Sequence, residues 1–175
     1  CFMYAGNLEP YQGIDLLMNA FAIAVERGKD VSLLVIGGKP FASIARGDAP
    51  DIDAAVQAAR AAFDGAWGKL APVDKGRRLM ALSRAILDHA DELAWIEARD
   101  CGKPMKQARA DAAACARYFE FYAGAPDKLH GDTLPYEHGY TVLTIREPHG
   151  VTGHIVPWNY PMQIIGRSVG AALAM

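Results

Sequence analysis

At 175 residues, of which 51% are hydrophobic, the chain is long enough for one packed domain, or one domain with a small appendage. A net charge of −2, carried by dispersed acids and bases, points away from nucleic acid, a membrane surface or a polyanionic partner. Its three cysteines, Cys1, Cys101 and Cys115, show neither metal-ligand spacing nor a plausible disulfide framework, so a reducing, cytoplasmic setting is expected and no metal.

The chain opens with a short apolar run at Phe2–Ala5, then a turn-rich stretch around Asn7, Pro10 and Gly13. Ile14, Leu17, Met18, Phe21 and Val25 fall on one helical face, and Gly28 supplies the stop. Residues 31–36 form a continuous apolar run suited to a buried parallel strand. Together they predict a strand–helix–strand unit. Gly37-Gly38-Lys39 lacks the glycine spacing of a phosphate loop, and Pro40 follows its lysine, so that reading is rejected.

A different character begins at Pro40. Residues 41–45 suit a strand, and Asp48 with Asp51 predicts a capping box opening a helix that ends at Asp64-Gly65. Ile52, Val56, Ala59 and Phe63 are its expected buried stripe. A second helix is expected over about 73–89, with Leu79, Leu82 and Ile86 inward. A third covers about 91–100, stopped by Gly102 and Pro104. A fourth covers about 107–122, with Ala108, Ala112, Cys115, Phe119 and Tyr122 on one side.

Residues 131–134 and 140–146 then read as paired strands around a Pro135–Gly139 connection. After the Pro148-His149-Gly150 turn, 151–156 reads as a strand, and Pro161 opens a last helix in the first turn, where its missing N–H costs nothing. The first residues show no basic region before an apolar run, so a secretory signal is not expected there, and no apolar run approaches the ~20 residues of a membrane span. Cys1 in place of an initiator and the apolar close at 162–175 are read as marks of a truncated chain.

Ile155-Val156-Pro157-Trp158-Asn159-Tyr160-Pro161 resembles the strand-to-helix turn of the NAD(P)-dependent aldehyde dehydrogenase family. Further likenesses precede it in order: 44–48, 61–67, Glu92-Leu93-Ala94, Asp100-Cys101-Gly102-Lys103-Pro104, Ala123-Gly124, His130-Gly131-Asp132 and 146–151. The resemblance covers about 39–175. It implies an incomplete α/β architecture: a helical N-terminal region, a β-hairpin arm at about 128–147 used in homo-oligomerisation, and the first strand–turn–helix of a dinucleotide-binding domain.

By the same resemblance Asn159 is the oxyanion-binding residue, and Ile155, Val156, Pro157 and Trp158 are the cofactor-side wall. An asparagine amide is a neutral, fixed donor suited to a developing negative oxygen, and flanking prolines restrict its backbone. The substrate implied is a small-molecule aldehyde, oxidised to the acid through a thiohemiacetal, and the cofactor is NAD or NADP. The family's nucleophilic cysteine, glutamate base and pyrophosphate turn have no counterpart in 1–175. Cys101 stands where relatives often carry another polar residue, and both it and Cys115 are read as structural. The chain alone is therefore expected to be inactive and to bind dinucleotide weakly or not at all.

Residues 1–38 resemble the donor-binding half of a two-Rossmann-domain glycosyltransferase, on Tyr4-Ala5-Gly6-Asn7-Leu8, 12–17 and Leu34-Val35-Ile36-Gly37-Gly38. The expected organisation is thus a glycosyltransferase-like segment at 1–38 joined to a dehydrogenase region at 39–175. A glycosyltransferase fragment and a non-catalytic oligomerisation module are the alternatives.

Overall fold

The computed structural model describes residues 2–5, 33–36 and 47–175. It has strands β1 (Phe2–Ala5) and β2 (Leu33–Ile36), then helices α1 (Ala49–Asp64), α2 (Pro72–Asp88), α3 (Ala90–Cys101) and α4 (Met105–Ala123). A 3-10 turn at Pro126–Lys128, strands β3 (Thr133–Leu134) and β4 (Val142–Leu143) and helix α5 (Pro161–Ala174) complete it. β1 and β2 pair in parallel, Phe2 opposite Leu33 and Ala5 opposite Ile36. Parallel neighbours need a crossover, as the strand–helix–strand reading supposes. The expected helix after Gly13 and the expected strand at 41–45 lie outside the described residues.

α1 begins as its sequence dictates. Asp48, extended in backbone, accepts from Ala49 N through its side chain, and Asp51 Oδ2 accepts from Asp48 N at 2.8 Å, so aspartate completes a capping box where glutamate is usual. Its expected buried stripe is a misreading. Ile52 is 64% exposed, Val56 and Ala59 are also exposed, and Phe63 alone is half-buried, beside Arg60 and the loop at Gly150. An amphipathic pattern states a demand for a partner surface; it does not supply one.

α4 is the centre, packed by α2, α3 and α5. Ala108, Ala112, Cys115 and Phe119 are buried as expected, and Tyr122 packs half-buried against the core formed by Leu79, Cys115, Phe119 and Ala174. Each large apolar side chain buried there contributes ~1.5–3 kcal/mol. On α2, Leu79 is buried and Ile86 packs on the core, but Leu82 is exposed. Ser83 takes the inward place and donates to the Ala116 carbonyl at 2.8 Å. The seam is set by small residues: a Cβ on Gly76 would stand 2.4 Å from the Ala123 carbonyl oxygen. Small groups let two backbones approach, and that selects the face ahead of hydrophobicity.

α3 ends at Gly102, whose φ of 71° is the left-handed cap that glycine adopts freely. The β3–β4 hairpin is shorter than expected: Thr133 opposes Leu143, and Leu134 opposes Val142. Asp132 and Thr144 extend it by a 2.9 Å backbone bond and a 2.7 Å bond to the Thr144 hydroxyl. A ribbon without a third strand is only marginally stable, so regular pairing contracts to its middle. For the same reason 151–156 forms no strand: ladder bonds require a neighbouring strand, and none of the described residues offers one. α5 starts at Pro161, as expected. Among the described residues no helix is long and apolar enough to cross a membrane.

Candidate functional site

Residues 155–159 run along the surface into the N-terminus of α5. Ile155 is 95% and Trp158 63% exposed, Pro157 and Asn159 are exposed, and Val156 is half-buried. No hydrogen bond among the described residues engages the Asn159 side chain. Among these residues it is an uncommitted amide, in a turn whose neighbours are held. The Trp158 carbonyl accepts from Cys101 Sγ at 2.8 Å, and the Tyr160 carbonyl accepts from Ile164 N at 3.1 Å, the first bond of α5.

Beneath the turn lies a buried ionic cluster. An ammonium has three N–H donors. Lys103 donates to Glu97 Oε1 and, at 2.7 Å, to Asp111 Oδ2, and its Nζ lies 4.5 Å from the centroid of the Tyr160 ring. Asp111 Oδ1 accepts from Gln107 Nε2 at 2.8 Å and from Gln163 Nε2 at 2.6 Å. The Lys103, Glu97 and Asp111 side chains are 10%, 3% and 0% exposed. Five side chains from α3, the Gly102 turn, α4 and α5 thus meet at one point.

The carboxylates differ. Burial would raise Asp111, but the donors Lys103, Gln163 and Gln107 overcome it and hold this carboxyl below its ordinary range. For Glu97 burial prevails over Lys103 and pushes the carboxyl up; its Oε2 is buried with no partner. Burial also opposes the Lys103 charge, yet hydrogen bonds to Asp111 and Glu97 outweigh it and hold the ammonium above its usual value.

Burial raises the Cys101 thiol and pushes Cys115 up to about 11, the opposite of what activates a nucleophile. His154 pairs with the Thr152 hydroxyl at 3.0 Å, and among the described residues no cluster of His, Cys, Asp and Glu has a metal-binding arrangement. An apolar cleft of about 630 Å³ lies between Phe63 of α1, Trp67 in the turn after it, Val169 and Leu173 of α5, and the 148–154 loop. None of 155–159 lines it.

The description "Aldehyde dehydrogenase family" fits residues 34–175, most of the chain. The chain belongs to the aldehyde dehydrogenase family. It is 45% identical over 139 residues to aldehyde dehydrogenase family 2 member B4, mitochondrial, of Arabidopsis thaliana, covering 78% of this chain and 26% of that protein. A crystal structure from Burkholderia cenocepacia, assigned as an aldehyde dehydrogenase, is 74% identical with a TM-score of 0.77, over 78% of this chain and 29% of that one. The NAD+ complex of the Bacillus cereus aldehyde dehydrogenase is 41% identical with a TM-score of 0.70, over 71% of this chain and 26% of that one. The chain therefore spans between a quarter and a third of the length of these relatives.

The glycosyltransferase likeness of 1–38 finds no support among these similarities, and the dehydrogenase match already begins at residue 34, inside that segment. A four-residue strand pair is common to many α/β proteins, which explains the misattribution. The sequence reading also overlooked Glu97, Lys103, Asp111 and Gln163 as a cluster. One signal was available: Asp111 falls between Ala108, Ala112 and Cys115 on the apolar stripe of α4, where an unpaired carboxylate would be costly.

Proposed function

We propose that residues 39–175 are the part of an NAD(P)-dependent aldehyde dehydrogenase that supplies the oxyanion donor and one cofactor wall. The observation that carries this reading is the exposed Asn159 amide, without a hydrogen-bond partner among the described residues, in a proline-framed turn of a chain belonging to this family. As an aldehyde carbon becomes tetrahedral under attack, negative charge gathers on its oxygen. Asn159 Nδ2 is the donor for that charge, carried on a backbone whose neighbours Trp158 and Tyr160 both contact the 101–103 turn.

Ile155, Val156, Pro157 and Trp158 fit one face of a dinucleotide cleft. They are largely exposed and apolar, as a wall for flat rings requires, but no described residues close the other side. When bound, NAD(P) would accept the hydride lost by the substrate. Neither Cys101 nor Cys115 is assigned the nucleophile's role, since burial disfavours the thiolate of both. The β3–β4 arm within 128–147 is proposed as the homo-oligomer contact: Tyr136, Tyr140, Leu143 and Ile145 are all exposed on it.

Replacing Asn159 by Ala in the full-length gene product tests the central role. Loss of one oxyanion donor is expected to lower kcat by ~10²–10³; a change below about threefold would refute the assignment. The 175-residue chain by itself should form no reduced nicotinamide from aldehyde and NAD(P). Calorimetric titration should find NAD or NADP affinity weaker than micromolar, and tighter binding would show that the wall has more of the site than assigned.

A further inference from the structure

We propose that the Cys101-Gly102-Lys103 turn is a clamp that sets the direction of the Asn159 amide, with Cys101 and Lys103 as positioning residues that never touch the substrate. The proposal rests on Asn159 as the oxyanion donor, although the contacts themselves do not depend on that role.

The Trp158 carbonyl belongs to the planar peptide unit whose nitrogen is that of Asn159, so holding this oxygen orients the plane from which Asn159 departs. Cys101 Sγ holds it at 2.8 Å; the rival acceptor, Asp100 Oδ2, is at 4.0 Å, the outer limit for sulfur. On the other flank the Tyr160 ring rests by Lys103 Nζ, 4.5 Å from ring centroid to nitrogen, an attraction of cation and ring face. Cys101 and Lys103 flank Gly102, whose left-handed backbone turns the chain between them. One rigid three-residue turn therefore grips the residues before and after Asn159.

The grip has a firm base. Lys103 is tied to Glu97 on α3 and to Asp111 on α4, and Asp111 also holds Gln163 in the first turn of α5. The helix that Tyr160 enters and the turn that holds Tyr160 are thus anchored on the same carboxylate. Little stability is at stake in the thiol contact, since a single net hydrogen bond contributes ~0.5–1.5 kcal/mol. Direction matters more: a displacement of ~1 Å at a catalytic group costs on the order of 10²-fold in rate.

The test reads the turn directly. Backbone ¹⁵N order parameters are measured on the 175-residue chain and its Cys101→Ala, Cys101→Ser and Tyr160→Leu variants. Cys101→Ala and Tyr160→Leu should each lower the Asn159 order parameter from the rigid range of ~0.85 to below ~0.6, with α2 and α4 unchanged. Cys101→Ser, which restores a donor to the Trp158 carbonyl, should keep it rigid. An unchanged Asn159 value in both loosening variants, or a loss spread equally through α4, would overturn the clamp.

In the full-length gene product Cys101→Ala should lower kcat at least tenfold with KM within twofold, and Cys101→Ser should recover most of it. Unchanged kcat in Cys101→Ala would remove the positioning role. A loosened turn together with an active Asn159→Ala enzyme would instead refute Asn159 as donor, leaving the contacts intact but without catalytic meaning.

Discussion

Replacing Lys103 by Met keeps most of the stem and removes the charge from beneath the Asn159 turn. Glu97 and Asp111, 3% and 0% exposed at the side chain, then share a buried site with no cation. Removing one partner of a buried ion pair costs ~3–5 kcal/mol, because the remaining charge is neither solvated nor neutralised. Asp111 keeps two amide donors, Gln107 and Gln163, whereas Glu97 keeps none among the described residues, so Glu97 is the group that must take up a proton. In a chain of this length 1 kcal/mol moves Tm by ~2–4 °C, which puts the expected fall at roughly 6–20 °C. Thermal melts followed by circular dichroism at pH 7 and pH 5 measure it. The deficit should shrink at pH 5, where protonating Glu97 is easier. A fall below about 2 °C at pH 7, or an equal deficit at both pH values, would refute the cluster's account.

Glu97 has a folded pKa above its ordinary 4.5, so the unfolded chain releases this proton first. Its contribution to stability should decline as pH rises from 4.5 through the raised value, and Glu97→Gln should abolish that slope in pH-resolved urea melts. Asp111 has the opposite sign: its contribution is present above 3.8 and lost as pH falls through its lowered folded value. Gly76→Ala should destabilise by ~1–3 kcal/mol despite alanine's better helix propensity, because the new Cβ would meet the Ala123 carbonyl oxygen at 2.4 Å; an unchanged melt would show that α2 shifts freely. The chain should also associate with rising concentration in light scattering, and Tyr140→Lys with Ile145→Lys should reduce this, since exposed β-hairpin edges recruit other chains. A monodisperse parent would argue against the hairpin as a contact.

Much of the local structure was legible in the residues alone. Asp48 with Asp51, Gly102, and Pro161 mark helix ends because their preferences act within a few residues: a cap bond, a left-handed φ, a missing N–H in a first turn. The α4 stripe of Ala108, Ala112, Cys115 and Phe119 followed from helical spacing, and the Pro-Trp-Asn-Tyr-Pro turn pointed to the family that the comparisons establish. Tertiary structure decided what depends on neighbours. Ile52 and Val56 stand exposed because no described residues cover that face of α1, 151–156 forms no strand because no described strand pairs with it, and Ser83 displaces Leu82 because Gly76 lets two backbones close on that face. The cluster under Asn159 belongs to the same class. Glu97, Lys103, Asp111 and Gln163 are up to 66 positions apart in sequence, and only the packing of α3, α4 and α5 turns four separate polar residues into one buried, hydrogen-bonded support.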